Sequence, residues 1–283
     1  SRALCRRAGR DGSVFNQLVI WMLPMMPRPL VHSVAKRYIA GETKEQAIDL
    51  IRSLAQRGYN VTVDQLGEDT VHIDQAREAT EEYLALMEAL ASSGVERNIS
   101  LKLTQFGLRI DQQEAFDLLR RVLDVAAKHD FFVRIDMEDA TVTDETLDFY
   151  YRAKEIWPRT GTVLQSRLFR TIDDARQLAS EGANIRLCKG IYREPASIAH
   201  TRMRDINDAF VEAAKILMDG PSYLALATHD VPLIGRLERE IEARRREVTE
   251  SYIASMLAAY EQELAKTIEL LSSNADRFDG YSQ

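Results

Sequence analysis

At 283 residues, with 45% hydrophobic and 29% charged side chains, the chain is long and apolar enough to bury a full core and lies outside the disordered class. Thirty-seven Lys and Arg against 44 Asp and Glu leave a net charge of −7, the wrong sign for a protein that lives on phosphate backbones, so nucleic acid is excluded as the main partner. Two cysteines, Cys5 and Cys188, support neither a disulfide framework nor a Cys-rich metal site, which fits a reducing, cytoplasmic compartment.

The first apolar stretch, Val14 to Leu23, ends at Pro24, Pro27 and Pro29 and is shorter than the roughly 18 to 20 residues needed to cross a bilayer. Arg2, Arg6, Arg7 and Arg10 precede it as in a signal peptide, but no small-residue cleavage site follows. It reads as an amphipathic packing helix in an N-terminal helical segment, residues 1–59.

Beyond Pro29, short β-branched runs alternate with longer helical patterns, the signature of βα units around a parallel sheet. The runs are Asn60 to Asp64, Ile99 to Leu103, Phe131 to Asp136, Gly161 to Gln165, Ile185 to Lys189 and Tyr223 to Thr228. Thr43 with Gln46 and Asp111 with Glu114 have capping-box spacing, and Phe116, Leu119, Val122 and Leu123 recur at the period of a helix facing a sheet. The fold class is therefore α/β, a (β/α)8-type barrel of which residues 60–230 supply six strands.

Each run carries a polar residue at or near its end: Asp64, Lys102, Asp136, Gln165, Arg186 with Lys189, and His229 with Asp230. The carboxyl ends of successive parallel strands are where such a barrel builds its site. Six polar ends in succession argue against chance solvation. The 13 glycines form no Gly-x-Gly-x-x-Gly or Walker loop, the five histidines show no metal-ligand spacing, and no Gly-x-Ser-x-Gly elbow occurs.

From Val231 the pattern becomes one long charged helical stretch, residues 231–283. Ile253, Leu257, Tyr260, Leu264, Thr267 and Leu271 keep a four-then-three spacing that resembles a heptad seam. This predicts a helical tail that adds no strand to the barrel and offers a route to homo-oligomers.

Five stretches, in order, carry a family resemblance: Ser100-Leu-Lys-Leu-Thr-Gln105, Val133-Arg-Ile-Asp-Met-Glu-Asp139, Val163-Leu-Gln-Ser166, Ile185-Arg-Leu-Cys-Lys-Gly-Ile-Tyr-Arg-Glu194 and Ala227-Thr-His-Asp230. From about Leu18 to Asp230 the chain resembles the proline dehydrogenase family, which occurs alone and within bifunctional proline utilisation proteins. The resemblance implies a distorted barrel that binds FAD without a Rossmann domain, oxidises L-proline to Δ1-pyrroline-5-carboxylate and passes electrons to a membrane quinone. The protein would then be cytoplasmic, with peripheral contact at the inner membrane.

Carried over residue by residue, the resemblance implies Asp136 and Arg186 as the catalytic pair, with Lys102 and Tyr192 toward proline. Met137, Gln165, Arg186, Cys188, Lys189, Gly190, Thr228 and His229 would contact the flavin. In this reading the Arg186 guanidinium stabilises the negative charge that a reduced flavin acquires, Lys189 meets the cofactor's ribityl or phosphate region, and FAD lies over the fourth to sixth strands. No metal is implied. Lys102 and Asp136, buried on neighbouring strands, need partners, either each other or ligand.

After Asp230 the family's last strands and its Tyr-x-x-Arg-Arg-x-x-Glu helix are not recognisable, and Arg244, Arg245 and Arg246 are not assigned that role. A catalytically impaired flavin-binding or structural relative, whose tail mediates assembly, is the alternative. A barrel flavoenzyme similar to methylenetetrahydrofolate reductase is a third reading, separable by its reduction with a nicotinamide.

Overall fold

The computed structural model describes residues 43–67 and 69–244. The chain separates into two compact units, residues 1–50 and 51–283. Of the first, only Thr43 to Leu50 are described, and they lead into and begin the first described helix, α1 (Lys44–Gln56). Thr43 Oγ1 accepts the Gln46 N–H at 3.4 Å, the side-chain half of the predicted capping box.

Among its described residues the second unit alternates strand and helix. The order is β1 (Val63–Asp64), α2 (Ile73–Ser92), β2 (Asn98–Leu101), α3 (Gln112–His129), β3 (Phe132–Ile135), α4 (Thr143–Ile156), β4 (Thr160–Gln165), α5 (Thr171–Ser180), β5 (Asn184–Cys188), α6 (Met203–Asp219), β6 (Tyr223–Ala227) and α7 (Val231–Arg244). All six predicted strand runs form strands. They pair in parallel in chain order, with β1 and β6 at the edges of the described sheet.

That topology follows from the residues. In α3, Phe116, Leu119, Val122 and Leu123 are buried, as their spacing predicts. Asp111 caps the helix by accepting the N–H groups of Gln113 and Glu114 at 2.9 and 3.0 Å. The reciprocal half of the expected box is not made, because the Glu114 carboxylate turns to Arg77 of α2 at 2.8 Å. A competing cation outbids a backbone N–H there. β4 is buried along its whole length, which is what a strand covered on both faces requires. Between β3 and α4, Asp139 caps a short 3-10 turn, Ala140–Val142, by accepting from Thr141 N at 2.9 Å.

The start of the predicted tail, Val231 to Arg244, is helical and adds no strand. Its Leu233, Ile234 and Leu237 are buried, while Arg244 pairs with Asp219 and Glu240. The heptad-like seam, Arg245, Arg246, the Val14 to Leu23 segment and Cys5 lie outside the described residues. Among the described residues no helix is long and apolar enough to cross a membrane.

Candidate active site

Parallel strands place all their carboxyl ends on one side, and that side gathers the polar residues singled out above. These residues form three ion pairs there. Lys102 Nζ lies 3.0 Å from Asp64 Oδ2, Arg186 Nη1 lies 3.0 Å from Asp136 Oδ1, and Lys189 Nζ lies 2.5 Å from Asp230 Oδ2. All six side chains are between 16% and 28% exposed, so each pair is desolvated yet within reach of a ligand.

Lys102 and Asp136 thus have other partners than each other. Lys102 takes the acid of the strand before it. Asp136, just past β3, reaches over β4 to Arg186 in β5, as barrel interiors do when alternate strands contribute to one layer. Burial pushes the Asp136 carboxyl up, Arg186 opposes that, and the neighbouring Asp64 adds to the rise, so the net shift is upward. Asp64 is also steadied by Tyr83, whose hydroxyl lies 3.2 Å from its Oδ1 and whose own proton affinity is raised by burial and then by that carboxylate.

Gln165, at the end of β4, is 4% exposed and donates its Nε2 hydrogens to the carbonyls of Glu138 at 2.6 Å and Met137 at 3.3 Å. Met137 is buried and takes part through that backbone oxygen. Across from Gln165 stands Gly190, with φ of +91°, where an added Cβ would fall 2.5 Å from Gln165 Oε1. The requirement for glycine is therefore both conformational and steric. The loop is fixed from beneath by Arg167, whose N–H donates to Lys189 O at 3.0 Å and whose Nη2 donates to Gly190 O at 3.3 Å.

Cys188 is a free thiol that burial pushes up to about 11, which makes it a packing residue rather than a nucleophile near neutrality. Lys189, expected to meet the cofactor's ribityl or phosphate region, pairs with Asp230, and its hydrogen bond is the main reason the Asp230 carboxyl is held below its ordinary range. Asp230 also accepts Asn207 Nδ2 at 2.9 Å and caps α7 through Leu233 N at 3.1 Å, so one carboxylate joins β5, α6 and α7. Thr228 Oγ1 accepts the Asp230 N–H at 3.2 Å, and His229 stands exposed beside it. Tyr192 is half-buried in the loop after β5, which Glu194 ties to the far side of the mouth by accepting the Ala140 N–H at 2.9 Å.

The proline dehydrogenase family model matches residues 47–268, most of the chain and the whole of the described sheet. Proline dehydrogenase 1 of Bacillus subtilis subsp. natto is 32% identical over 234 residues, covering 83% of this chain and 77% of that protein. The chain belongs to the proline dehydrogenase family. The proline dehydrogenase of Deinococcus radiodurans is 30% identical over 227 residues, covering 77% of this chain and 72% of that protein.

In fold, the chain is similar to proline utilization A from Bdellovibrio bacteriovorus inactivated by N-propargylglycine, with a TM-score of 0.68 at 22% identity over 75% of this chain. The chain spans about a quarter of that much longer one, 27%. The family match begins later than Leu18 and continues beyond Asp230, so the family's pattern extends into the stretch where no motif is recognisable by eye.

Four residues of this mouth were given no site role from sequence: Asp64 and Asp230, noted only as polar strand ends, and Thr104 and Glu138. Three of them sit inside the quoted stretches, Thr104 in the first, Glu138 in the second and Asp230 in the last. The signal available for Asp64 was its position at the end of the first strand run, opposite a lysine at the end of the second.

Proposed function

We propose that this chain binds FAD over the carboxyl end of its sheet and oxidises L-proline to Δ1-pyrroline-5-carboxylate, handing the electrons on to a quinone. The donor set fits such a group. Gly190 lets the backbone approach where any side chain would collide with Gln165, Gln165 turns an acceptor oxygen away from its own carbonyl partners, and the Arg186 guanidinium is partly open. Gln165, Arg186, Lys189, Gly190, Thr228 and His229, with Met137 and Cys188 as packing, are the residues that would hold it. When bound, the flavin supplies the acceptor for a hydride leaving the ring carbon next to the proline nitrogen.

What the chain's own residues contribute is charge and orientation. Arg186, held in place by Asp136, offers a fixed positive charge where negative charge accumulates, an arrangement that needs no reorganisation during the reaction. Lys102 offers its ammonium to the proline carboxylate. Asp64 keeps that ammonium placed in the ligand's absence, and Tyr83 keeps Asp64 satisfied when the lysine is shared. Loss of the hydride and of the nitrogen-bound proton leaves the C=N bond of the product, and Tyr192 walls the pocket.

The observation that carries this reading is the pairing of two cations, Lys102 and Arg186, with Asp64 and Asp136 at one mouth. Reconstitution with FAD tests it. The expected result is a yellow protein whose flavin band bleaches on anaerobic addition of L-proline and recovers with a soluble quinone. A protein that takes up no FAD, or bleaches with a reduced nicotinamide and not with proline, overturns it.

A further inference from the structure

Around Gln165 the hydrogen bonds have a single sense. Carbonyl oxygens only accept, so the two that face this amide, from Met137 and Glu138, require its NH2 group and turn Oε1 the other way, toward Gly190. In a solvated glutamine the two ends exchange freely. Here an exchanged amide would set one oxygen against two others in a buried site.

The carbonyl that takes the shorter bond is itself anchored. The Glu138 side chain, 3% exposed, accepts the Thr104 N–H at 3.0 Å on Oε1 and the Thr104 hydroxyl at 2.5 Å on Oε2. Thr104 is 1% exposed, and its hydroxyl accepts the Asp69 N–H at 3.1 Å. A chain of bonds therefore runs from the loop before α2, through Thr104 after β2 and Glu138 after β3, to Gln165 at the end of β4. Buried polar networks of this kind specify one arrangement because any alternative leaves a polar group unmet.

We propose that Thr104 and Glu138 are positioning residues that fix the Gln165 amide so that a hydrogen-bond acceptor, Oε1, is presented to a ring N–H of the flavin. This rests on the flavin reading above. Neither residue touches the ligand; both act through Gln165. The arrangement selects a ring that donates at that point, and it explains why position 190 must stay free of a side chain, since a Cβ would occupy the space in front of Oε1.

The test uses Thr104→Val, which keeps volume and backbone and removes the hydroxyl, with Thr104→Ser as the conservative rescue. Two readouts are taken: the FAD dissociation constant, and the Gln165 side-chain amide signal in the FAD-free protein by nitrogen-15 NMR. Thr104→Val should weaken FAD on the order of three- to tenfold, as for the loss of one hydrogen bond. It should shift the Gln165 amide toward the position of a solvated glutamine, and Thr104→Ser should restore both. In a Gln165→Leu background the same change should alter FAD affinity less than about twofold, because the route of action is gone.

Equal losses in the two backgrounds, or an amide signal that stays put in Thr104→Val, overturn the proposal, even if the thermal midpoint falls. If the unsubstituted protein takes up no FAD, the flavin reading falls and the presentation to flavin falls with it. The amide signal still decides, in that case, whether Thr104 and Glu138 set the orientation of Gln165.

Discussion

The two ends of the sheet both carry buried or half-buried cations, and they differ in what holds them. At the carboxyl end, Lys102, Arg186 and Lys189 each face a carboxylate. At the amino end, Arg134 is 5% exposed and donates to the Thr162 carbonyl at 3.0 Å and to Asn184 Oδ1 at 2.8 Å, with its guanidinium 4.8 Å from the Phe132 ring centre. Around it, the exposed Arg97 donates to the His129 carbonyl at 2.7 Å and the exposed Arg159 pairs with the exposed Asp130 at 2.6 Å.

A cavity of about 420 Å³ opens among these amino-end residues, but the bonds of its arginines are to backbone, an amide and a loop carboxylate. A cation held by a carboxylate can trade that partner for a ligand's charge. One held by strand carbonyls cannot let go without breaking the fold. Burial pulls the proton affinity of Arg134 down, and Arg186 lowers it further, so the amino-end arginine bears an electrostatic cost in the folded state.

The largest effect is expected from Arg186→Met. An interaction with a charged group contributes roughly 1.5 to 3 kcal/mol, so FAD affinity and the rate of flavin reduction by proline should each fall about ten- to a hundredfold. The variant also leaves Asp136 without its principal partner, and the already raised carboxyl should rise further. A carboxyl whose folded-state proton affinity exceeds its unfolded one binds more protons when folded. Stability relative to the parent should therefore fall as pH rises through the window between the parent's raised folded value and the variant's still higher one. Thermal midpoints across pH and stopped-flow reduction check the two halves. Unchanged reduction kinetics would remove Arg186 from the site and erase the distinction between the ends.

Arg134→Met should show the opposite division. Loss of its bonds to Thr162 and Asn184 should cost about 2 to 3 kcal/mol, a fall in thermal midpoint of roughly 4 to 12 °C for a unit of this size. FAD affinity measured below the transition should stay within about twofold. If it falls as far as in Arg186→Met, the amino end is part of the site and the comparison fails.

Much of the frame was legible in the residues. Six β-branched runs and the face of α3 announced themselves by period, because a sheet buried by helices leaves no other use for such runs. The first run shrank to Val63–Asp64, an edge strand with one neighbour in the described sheet. The polar strand ends were legible as a set. Their partners were not, because pairing depends on curvature that brings Asp136 to Arg186 over β4, and on competition such as that of Arg77 for Glu114, neither of which has a sequence period. Nothing in the spacing announced that Asp230, 41 residues on, would return to pair with Lys189. Thr104 and Glu138 stayed hidden for the same reason. Their role lies in one carbonyl and two oxygens across neighbouring strands.

The smallest of these effects, Gly190→Ala, tests how the carboxyl end is shaped rather than how it is charged. Two costs are superposed at this position. The φ of +91° is one that a side chain resists by about 1 kcal/mol, and the new Cβ would lie 2.5 Å from Oε1 and 3.2 Å from Cβ of Gln165. Gln165 cannot simply swing aside, since its Nε2 is held by Glu138. Together they should lower the thermal midpoint by roughly 2 to 6 °C and loosen FAD a few-fold. Adding Gln165→Ala separates the two, because it removes the collision with Oε1, keeps only the looser contact with Cβ, and leaves the backbone strain. The double variant should recover part of the midpoint while binding FAD no better than Gln165→Ala alone. Full recovery would mean that the backbone at 190 relaxes freely and that glycine is needed there only to make room for the amide.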